Sequence, residues 1–239
     1  MIEEARRTAI VVGASSGIGE ALARQLTAEG WRVCLMARRL SRLEAIAETL
    51  SRDALARHID LSDAETAAAT LTAVIDELGG ADLVVMSSGT GYPNTALDWP
   101  PDRETLAVNV VGFAAVAQAA MRHFIARGRG HLVGITSIAA LRGFAPTAAY
   151  AGSKAFQSLY LESLRDLARL RRLPIAVTEA QPGFVATAMM QSERVFWVAS
   201  AAVAAQQIMR AIRRRRKHAY ITRRWAIIAL LLRCLPRPG

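Results

Sequence analysis

Thr8–Val12 is an unbroken apolar run that ends directly on Val12-Gly13-Ala14-Ser15-Ser16-Gly17-Ile18-Gly19. A short stretch apolar on both faces belongs inside a parallel sheet, where helices cover both sides. Gly17 to Glu29 follows with helical character and is stopped by Gly30. The same rhythm continues along the chain. Strands are predicted at Arg32–Met36, Ala54–Ile59, Asp82–Ser87, His131–Thr136 and Pro174–Ala180. Between them lie helices at Leu40–Leu50, Asp63–Leu78, Asp102–Arg127 and Thr147–Arg172. Strands alternating with helices predict an α/β fold, a Rossmann-like doubly wound, mainly parallel sheet with helices on both faces. Ligands of such a sheet bind at the edge where the strands end.

Beyond strand six, Ser200–Arg214 is expected to be a helix, Lys217–Thr222 a seventh strand and Arg223 onward a last helix. With 239 residues and no composition break before Gln181, a single domain over 1–239 is expected, with 190–239 as its variable lid and C-terminal helical segment. The chain is 52% hydrophobic, enough for a large core and unlike a disordered protein. Cys34 and Cys234 are too far apart in sequence for a metal knuckle or a redox pair, so no metal is expected and a reducing compartment is. Met1-Ile2-Glu3-Glu4-Ala5-Arg6-Arg7 lacks a secretion signal, which points to a cytoplasmic protein. The net charge of +10 raises nucleic acid and anionic membrane as partners. No zinc-finger spacing or aromatic-rich basic groove accompanies that charge, so nucleic acid is disfavoured.

Chemistry is concentrated in Tyr150-Ala151-Gly152-Ser153-Lys154, where a phenol and an ammonium four residues apart share one helical face. A fixed cation favours the phenolate, so Lys154 is expected to lower the Tyr150 pKa from about 10. Ser137, thirteen residues earlier, sits at a strand end from which its hydroxyl can return beside the phenol. The glycine turn opens a helix whose N-terminus offers unpaired N–H groups to phosphate. The second strand ends Ala37-Arg38-Arg39, with no carboxylate to hold ribose hydroxyls.

Together these stretches resemble the short-chain dehydrogenase/reductase family, in its short single-domain branch. The resemblance implies hydride transfer between a nicotinamide and a carbonyl/alcohol substrate, with Asn109, Ser137, Tyr150 and Lys154 as the catalytic set. It places Gly13, Ser15, Ser16, Gly17, Ile18 and Gly19 along the cofactor. NADP(H) is preferred over NAD(H), because Arg38 stands where a guanidinium can fork onto a 2′-phosphate; Arg39 either assists or is solvated. Asp60 and Leu61 match the adenine end, and Tyr150 and Lys154 also meet the nicotinamide ribose. Gln181-Pro182-Gly183-Phe184-Val185-Ala186-Thr187 resembles the family's nicotinamide segment, which assigns Pro182, Gly183, Val185 and Thr187 to the cofactor. Ser88 and Gly89 fall in Met86-Ser87-Ser88-Gly89, where most relatives have Asn-Asn-Ala-Gly. That departure keeps a catalytically idle NADP-binding sensor or scaffold open as the alternative.

Relatives pair through the helices that here carry Asn109 and Tyr150, so a homodimer or homotetramer is expected. The apolar loops Gly91–Pro101, Leu141–Thr147 and Ala188–Val198, with Tyr92, Trp99, Phe144, Met189, Met190, Phe196 and Trp197, suit a lipophilic substrate. Trp225 to Leu235 is apolar around nearly its whole circumference and too short to span a bilayer, which takes about 20 residues. Arginines and Lys217 surround it. Two readings stand: docking on the protein's own core or a second subunit, or peripheral contact with the inner membrane surface.

Overall fold

The computed structural model describes residues 6–187, 190 and 196–234; Met189 and Leu235, named above, lie outside them. Strands β1 (Thr8–Val12), β2 (Arg32–Ala37), β3 (Leu55–His58), β4 (Leu83–Met86), β5 (Gly130–Ile135), β6 (Ile175–Pro182) and β9 (His218–Ile221) form one sheet in the order β3-β2-β1-β4-β5-β6-β9. Every pairing is parallel. The order reverses direction between β1 and β4, which opens a crevice at the carboxyl ends of those strands. The glycine turn leaves β1 at that crevice.

Side-chain alternation along each strand divides the core into two layers. On β1, Ile10 and Val12 join Phe113, Phe124 and Leu161 beneath α3 (Ala64–Glu77), α5 (Phe113–Arg127) and α6 (Ala148–Leu170). Ala9 and Val11 join Leu22, Leu26, Ile208 and Met209 beneath α1 (Gly17–Ala28), α2 (Leu40–Glu48) and α7 (Ala201–Arg213). Both layers exclude water, which is why the central strands read as continuous apolar runs. Cys34 is fully buried in β2, and desolvation pushes its thiol up to about 12, well out of a reactive range.

The helix predicted as one piece over Asp102–Arg127 is three. It begins earlier, with α4 (Trp99–Leu106), because Pro100 and Pro101 occupy the first turn, where a missing N–H costs nothing. A π-helical turn, Ala107–Gly112, separates α4 from α5 and holds Asn109. The wider turn fits a local constraint: a side chain on Gly112 would collide with the Leu61 carbonyl oxygen. Two further elements lacked a sequence signal because they are too short to show a period. They are the parallel pair β7 (Val185–Ala186) and β8 (Ala199–Ser200), and a 3-10 turn at Ile138–Leu141. The last helix, α8 (Trp225–Cys234), follows β9.

His131 on β5 is 7% exposed, and its Nε2 lies 2.8 Å from Thr178 Oγ1. Desolvation, helped by the Arg215 charge, pushes its pKa down to about 4. The folded protein therefore excludes a proton that the unfolded chain accepts below about 6.5. Stability from this residue is complete above that pH and falls by roughly 3 kcal/mol between about 6.5 and 4. Denaturant unfolding across this range should show that loss, and His131→Gln should flatten the slope by close to one proton.

Candidate active site

α6 carries Tyr150, Ser153, Lys154 and Gln157 on one face, at the i, i+3, i+4, i+7 spacing of a single stripe. Lys154 is 4% exposed, and its Nζ donates to Ile135 O at 3.2 Å and to Gln157 Oε1 at 2.9 Å. Desolvation pulls its pKa down to about 8. Gln157, fully buried, turns its other end to Asn109: Nε2 donates to the Asn109 carbonyl at 2.9 Å. The Asn109 side chain closes on the loop after β4, with Oδ1 accepting from Thr90 N at 2.9 Å and Nδ2 donating to Thr90 O at 2.7 Å. Nδ2 also donates to Ser153 Oγ at 3.0 Å. The π-helical turn, the β4 loop and α6 are thus tied at one point.

Ser137 leaves β5 in extended conformation, and its Oγ accepts from Ala139 N at 3.1 Å at the start of the 3-10 turn. Its hydroxyl also meets the Tyr150 phenol. Desolvation pushes that phenol above its usual pKa, and the hydrogen bond with Ser137 pulls it part of the way back. This corrects the expected lowering by Lys154. The ammonium stands 5.7 Å from the ring centroid and spends its hydrogen bonds on Ile135 and Gln157. Gly91 lies against the Tyr150 ring, where any side chain would collide with it.

In the other half of the crevice, Gly13 has φ +91°, and a Cβ there would lie 2.5 Å from Ser88 N. Ser87 N donates to Val12 O at 2.8 Å. Main-chain contact therefore joins β1 to β4 without the side-chain amides that Met86 and Ser87 replace. Ser88 and Gly89 follow on the same loop, and a Cβ on Gly89 would stand 3.2 Å from Lys154 Nζ. Gly19 packs on Gly13, Ile18 on the α1 core layer, and buried Leu61 against Gly112. Asp60 holds Ser62 N and Oγ, each at 2.9 Å, while Asp63 caps α3. Desolvation would raise the Asp60 pKa, but the Ser62 hydrogen bonds and the Arg38 charge outweigh it and lower it.

The two arginines after β2 point to different partners. Arg39 Nη2 donates to Ser15 Oγ at 2.9 Å and to Ser16 Oγ at 3.1 Å. Arg38 turns the other way, 3.8 Å from Glu104 Oε1, with its side chain 57% exposed. Ser16 is the N-cap of α1, yet its hydroxyl makes no capping bond, so the first-turn N–H groups keep their free donors. A guanidinium, two hydroxyls and a helix N-terminus form a donor set that fits a phosphate group. A cavity of about 610 Å³ opens beside it, between Ser16, Gly17, Arg42, Thr187 and Met190.

Pro182 ends β6, Gly183 N donates to Ile221 O at 2.7 Å, and Val185 pairs with Ala199. Thr187 reaches the glycine turn, its Cγ2 standing 3.0 Å from where a Gly17 Cβ would be. Trp225 of α8 lies flat enough on Gly183 that any side chain there would collide with it. It stacks on Phe196 at 5.1 Å and meets Phe184 edge-on at 5.5 Å. Trp99, by contrast, opens α4 and is 61% exposed.

The sequence model described as short chain dehydrogenase matches residues 7–196. The chain belongs to the short-chain dehydrogenase/reductase family. An uncharacterized oxidoreductase of Myxococcus xanthus is 40% identical over 190 residues, covering 77% of this chain and 74% of that one. Among solved structures, a short-chain dehydrogenase/reductase from Burkholderia phymatum in complex with NAD superposes with TM-score 0.86 at 19% identity, over 100% of this chain and 99% of that one. A short-chain dehydrogenase from Sphingobium yanoikuyae in complex with NADPH gives 0.82 at 20% identity, over 98% of each. These two likenesses bear on the fold, an α/β sheet of the family's type.

Within this family member, sequence reasoning missed Gln157, Gly91 and Trp225. Gln157 was within reach, since it extends the Tyr150–Lys154 stripe by one turn. Gly91 and Trp225 act through contacts between distant segments and left no local signal. Gln157→Leu keeps the volume but strips a partner from the buried ammonium and from the Asn109 carbonyl. It should cost about 2–4 kcal/mol in urea unfolding, with the cofactor-free Tm falling in step.

Proposed function

We propose that this oxidoreductase is NADP(H)-dependent and interconverts a lipophilic ketone or aldehyde with its alcohol. The observation that carries the reading is the meeting of Ser137, Tyr150 and Lys154 at one end of a crevice, with Arg39, Ser15 and Ser16 at the other. The second cluster supports the 2′-phosphate preference: a forked cation already aimed at two hydroxyls, and Ala37 where a carboxylate would repel a phosphate. Asp60, Leu61, Ser88 and Gly89 would lie along the adenosine and ribose, and Pro182, Gly183, Val185 and Thr187 beside the nicotinamide.

When bound, the nicotinamide supplies the hydride in reduction and accepts it in oxidation. The chain's own groups handle the proton. Ser137 Oγ donates a hydrogen bond to the substrate carbonyl oxygen, which orients and polarises it. Tyr150 Oη passes its proton to that oxygen as negative charge develops there, and the Ser137 bond favours the phenolate left behind. The raised phenol pKa keeps Tyr150 protonated and ready as an acid near neutral pH. Asn109 and Gln157 hold Lys154 in place. Phe184, Phe196, Trp197 and Trp225 give the substrate side an aromatic wall, the support for a lipophilic substrate. Assembly as a homodimer or homotetramer belongs to the same proposal, since Val111 and Leu159, 55% and 66% exposed near Asn109 and on α6, are apolar surface a second copy would cover.

Tyr150→Phe should lower NADPH-dependent turnover of apolar ketones and aldehydes about a thousand-fold while leaving NADPH binding intact. Activity unaffected by that change, or absent from the wild type across the panel, would leave the idle cofactor-binding reading instead. Calorimetric titration checks the cofactor: Arg39→Ala should weaken NADPH by roughly 10- to 100-fold and NADH less than about two-fold. Arg38→Ala should have the smaller effect of the two.

A further inference from the structure

The net positive charge of this protein is accounted for almost entirely by one segment. Ala201–Cys234 holds eight arginines, one lysine and no Asp or Glu, so it supplies nine of the net ten charges. In the fold these residues become α7, β9 and α8, packed side by side. Three of the arginines are used internally: Arg213 pairs with Glu29, Arg215 donates to Gly130 O and Pro174 O, and Arg224 lies over the Trp197 ring, 5.6 Å from its centroid. Arg210, Arg214, Arg216 and Arg223 are different. They are exposed, make no ion pair among the described residues, and together with Tyr220 line a cavity of about 320 Å³ between the three elements. Four guanidiniums held around one hollow without a single carboxylate repel one another, and an arrangement of that kind is stable against an anion.

α8 borders the same cavity through Ala226 and has two unlike faces. Trp225 and Ala229, 2% and 0% exposed, turn inward to the aromatic wall and the Ile138–Leu141 turn. Ile227, Leu230 and Leu231 stand outward at i, i+3, i+4 and are 58%, 63% and 47% exposed. An aliphatic stripe on a protruding helix, flanked by Arg223, Arg224 and Arg233, has the form of a helix that lies in a lipid headgroup layer.

We propose that the face formed by α7, β9 and α8 docks on an anionic phospholipid surface, with Ile227, Leu230 and Leu231 in the acyl boundary and a headgroup phosphate in the arginine-lined cavity. A second copy of the chain is a poorer occupant, because it would bring together two patches that each hold Arg210, Arg214, Arg216 and Arg223 without a carboxylate. The outward stripe also lacks the aromatic anchors and pockets on which protein interfaces depend. The docking side is opposite the face of α8 that walls the site, so attachment leaves that wall in place.

Flotation of the full-length protein with vesicles tests this, using phosphatidylglycerol mixed into phosphatidylcholine against phosphatidylcholine alone. The protein should float with the anionic vesicles in low salt and at least ten-fold less with the neutral ones. Raising salt to about 1 M, where the screening length falls from about 10 Å to about 3 Å, should release most of it. The triple change Arg210→Gln, Arg214→Gln, Arg223→Gln should lower partitioning about a hundred-fold, at roughly five-fold per guanidinium. Leu230→Glu should lower it without the triple variant's change in salt dependence, and both variants should keep the wild-type Tm, as their sites are exposed. Full-length protein that stays at the bottom of the gradient in low salt overturns the proposal. So does equal flotation with neutral vesicles, or a triple variant that floats like wild type. Loss of an oligomer by light scattering in Leu230→Glu, with no vesicle binding by the parent, would assign the stripe to a second copy instead.

Discussion

An ammonium 4% exposed in the middle of an α/β protein is the constraint around which this site is built. Taking such a charge out of water costs several kcal/mol unless other groups solvate it. Lys154 is solvated by the last carbonyl of β5 and by the amide of Gln157, and its pKa of about 8 records what those two bonds leave uncompensated, roughly 3 kcal/mol. Gln157 is fixed in turn by the Asn109 carbonyl, available because the helix widens into a π turn there. Asn109 holds both main-chain polar groups of Thr90 and so sets the loop after β4. A chain of hydrogen bonds thus runs from β5 through α6 to β4, and each member is satisfied only because the others are in place.

The two ends of the crevice are stabilised by different physics. At the Arg39 end the contacts are polar and open to water, so their contribution to stability is small and their value lies in a preformed donor set. At the Trp225 end the contacts are aromatic, with Trp225 itself 2% exposed. Stacked and edge-on pairs among Phe184, Phe196, Trp197 and Trp225 add about 0.5–1.5 kcal/mol each beyond the area they bury. They fasten the last helix to the segment after β6. The C-terminal helix therefore packs beside Gly183 and the Ile138–Leu141 turn as well as forming part of the surface.

Most of the architecture was legible in the sequence because it rests on local periodicity. Seven strands were expected, the central ones marked by short apolar runs, and all seven lie in the sheet. Tyr150 and Lys154 were legible for the same reason, since a four-residue spacing on a helix defines a shared face. Local rules are silent where an outcome depends on competition between neighbours. Arg38 and Arg39 are adjacent and chemically identical, and no local rule says which one turns toward Ser15. Strand β2 ends with alternating sides, and Glu104 on a distant helix is placed near Arg38, so Arg39 is the one that reaches the serines.

What the sequence determined by itself was the fold class, the order of its elements and the identity of the groups that meet at the crevice, because backbone period and turn chemistry are written in consecutive residues. Tertiary structure decided the rest. It set the pKa of Tyr150 upward, since desolvation depends on everything packed around the phenol and outweighed the Ser137 bond. It broke the long helix at Asn109, where Gly112 meets Leu61 from another segment. It also gave α8 one inward and one outward face, although its composition is apolar nearly all round. Which side of such a helix is buried is a property of the surface it lands on, and that surface is assembled from residues far away in the chain.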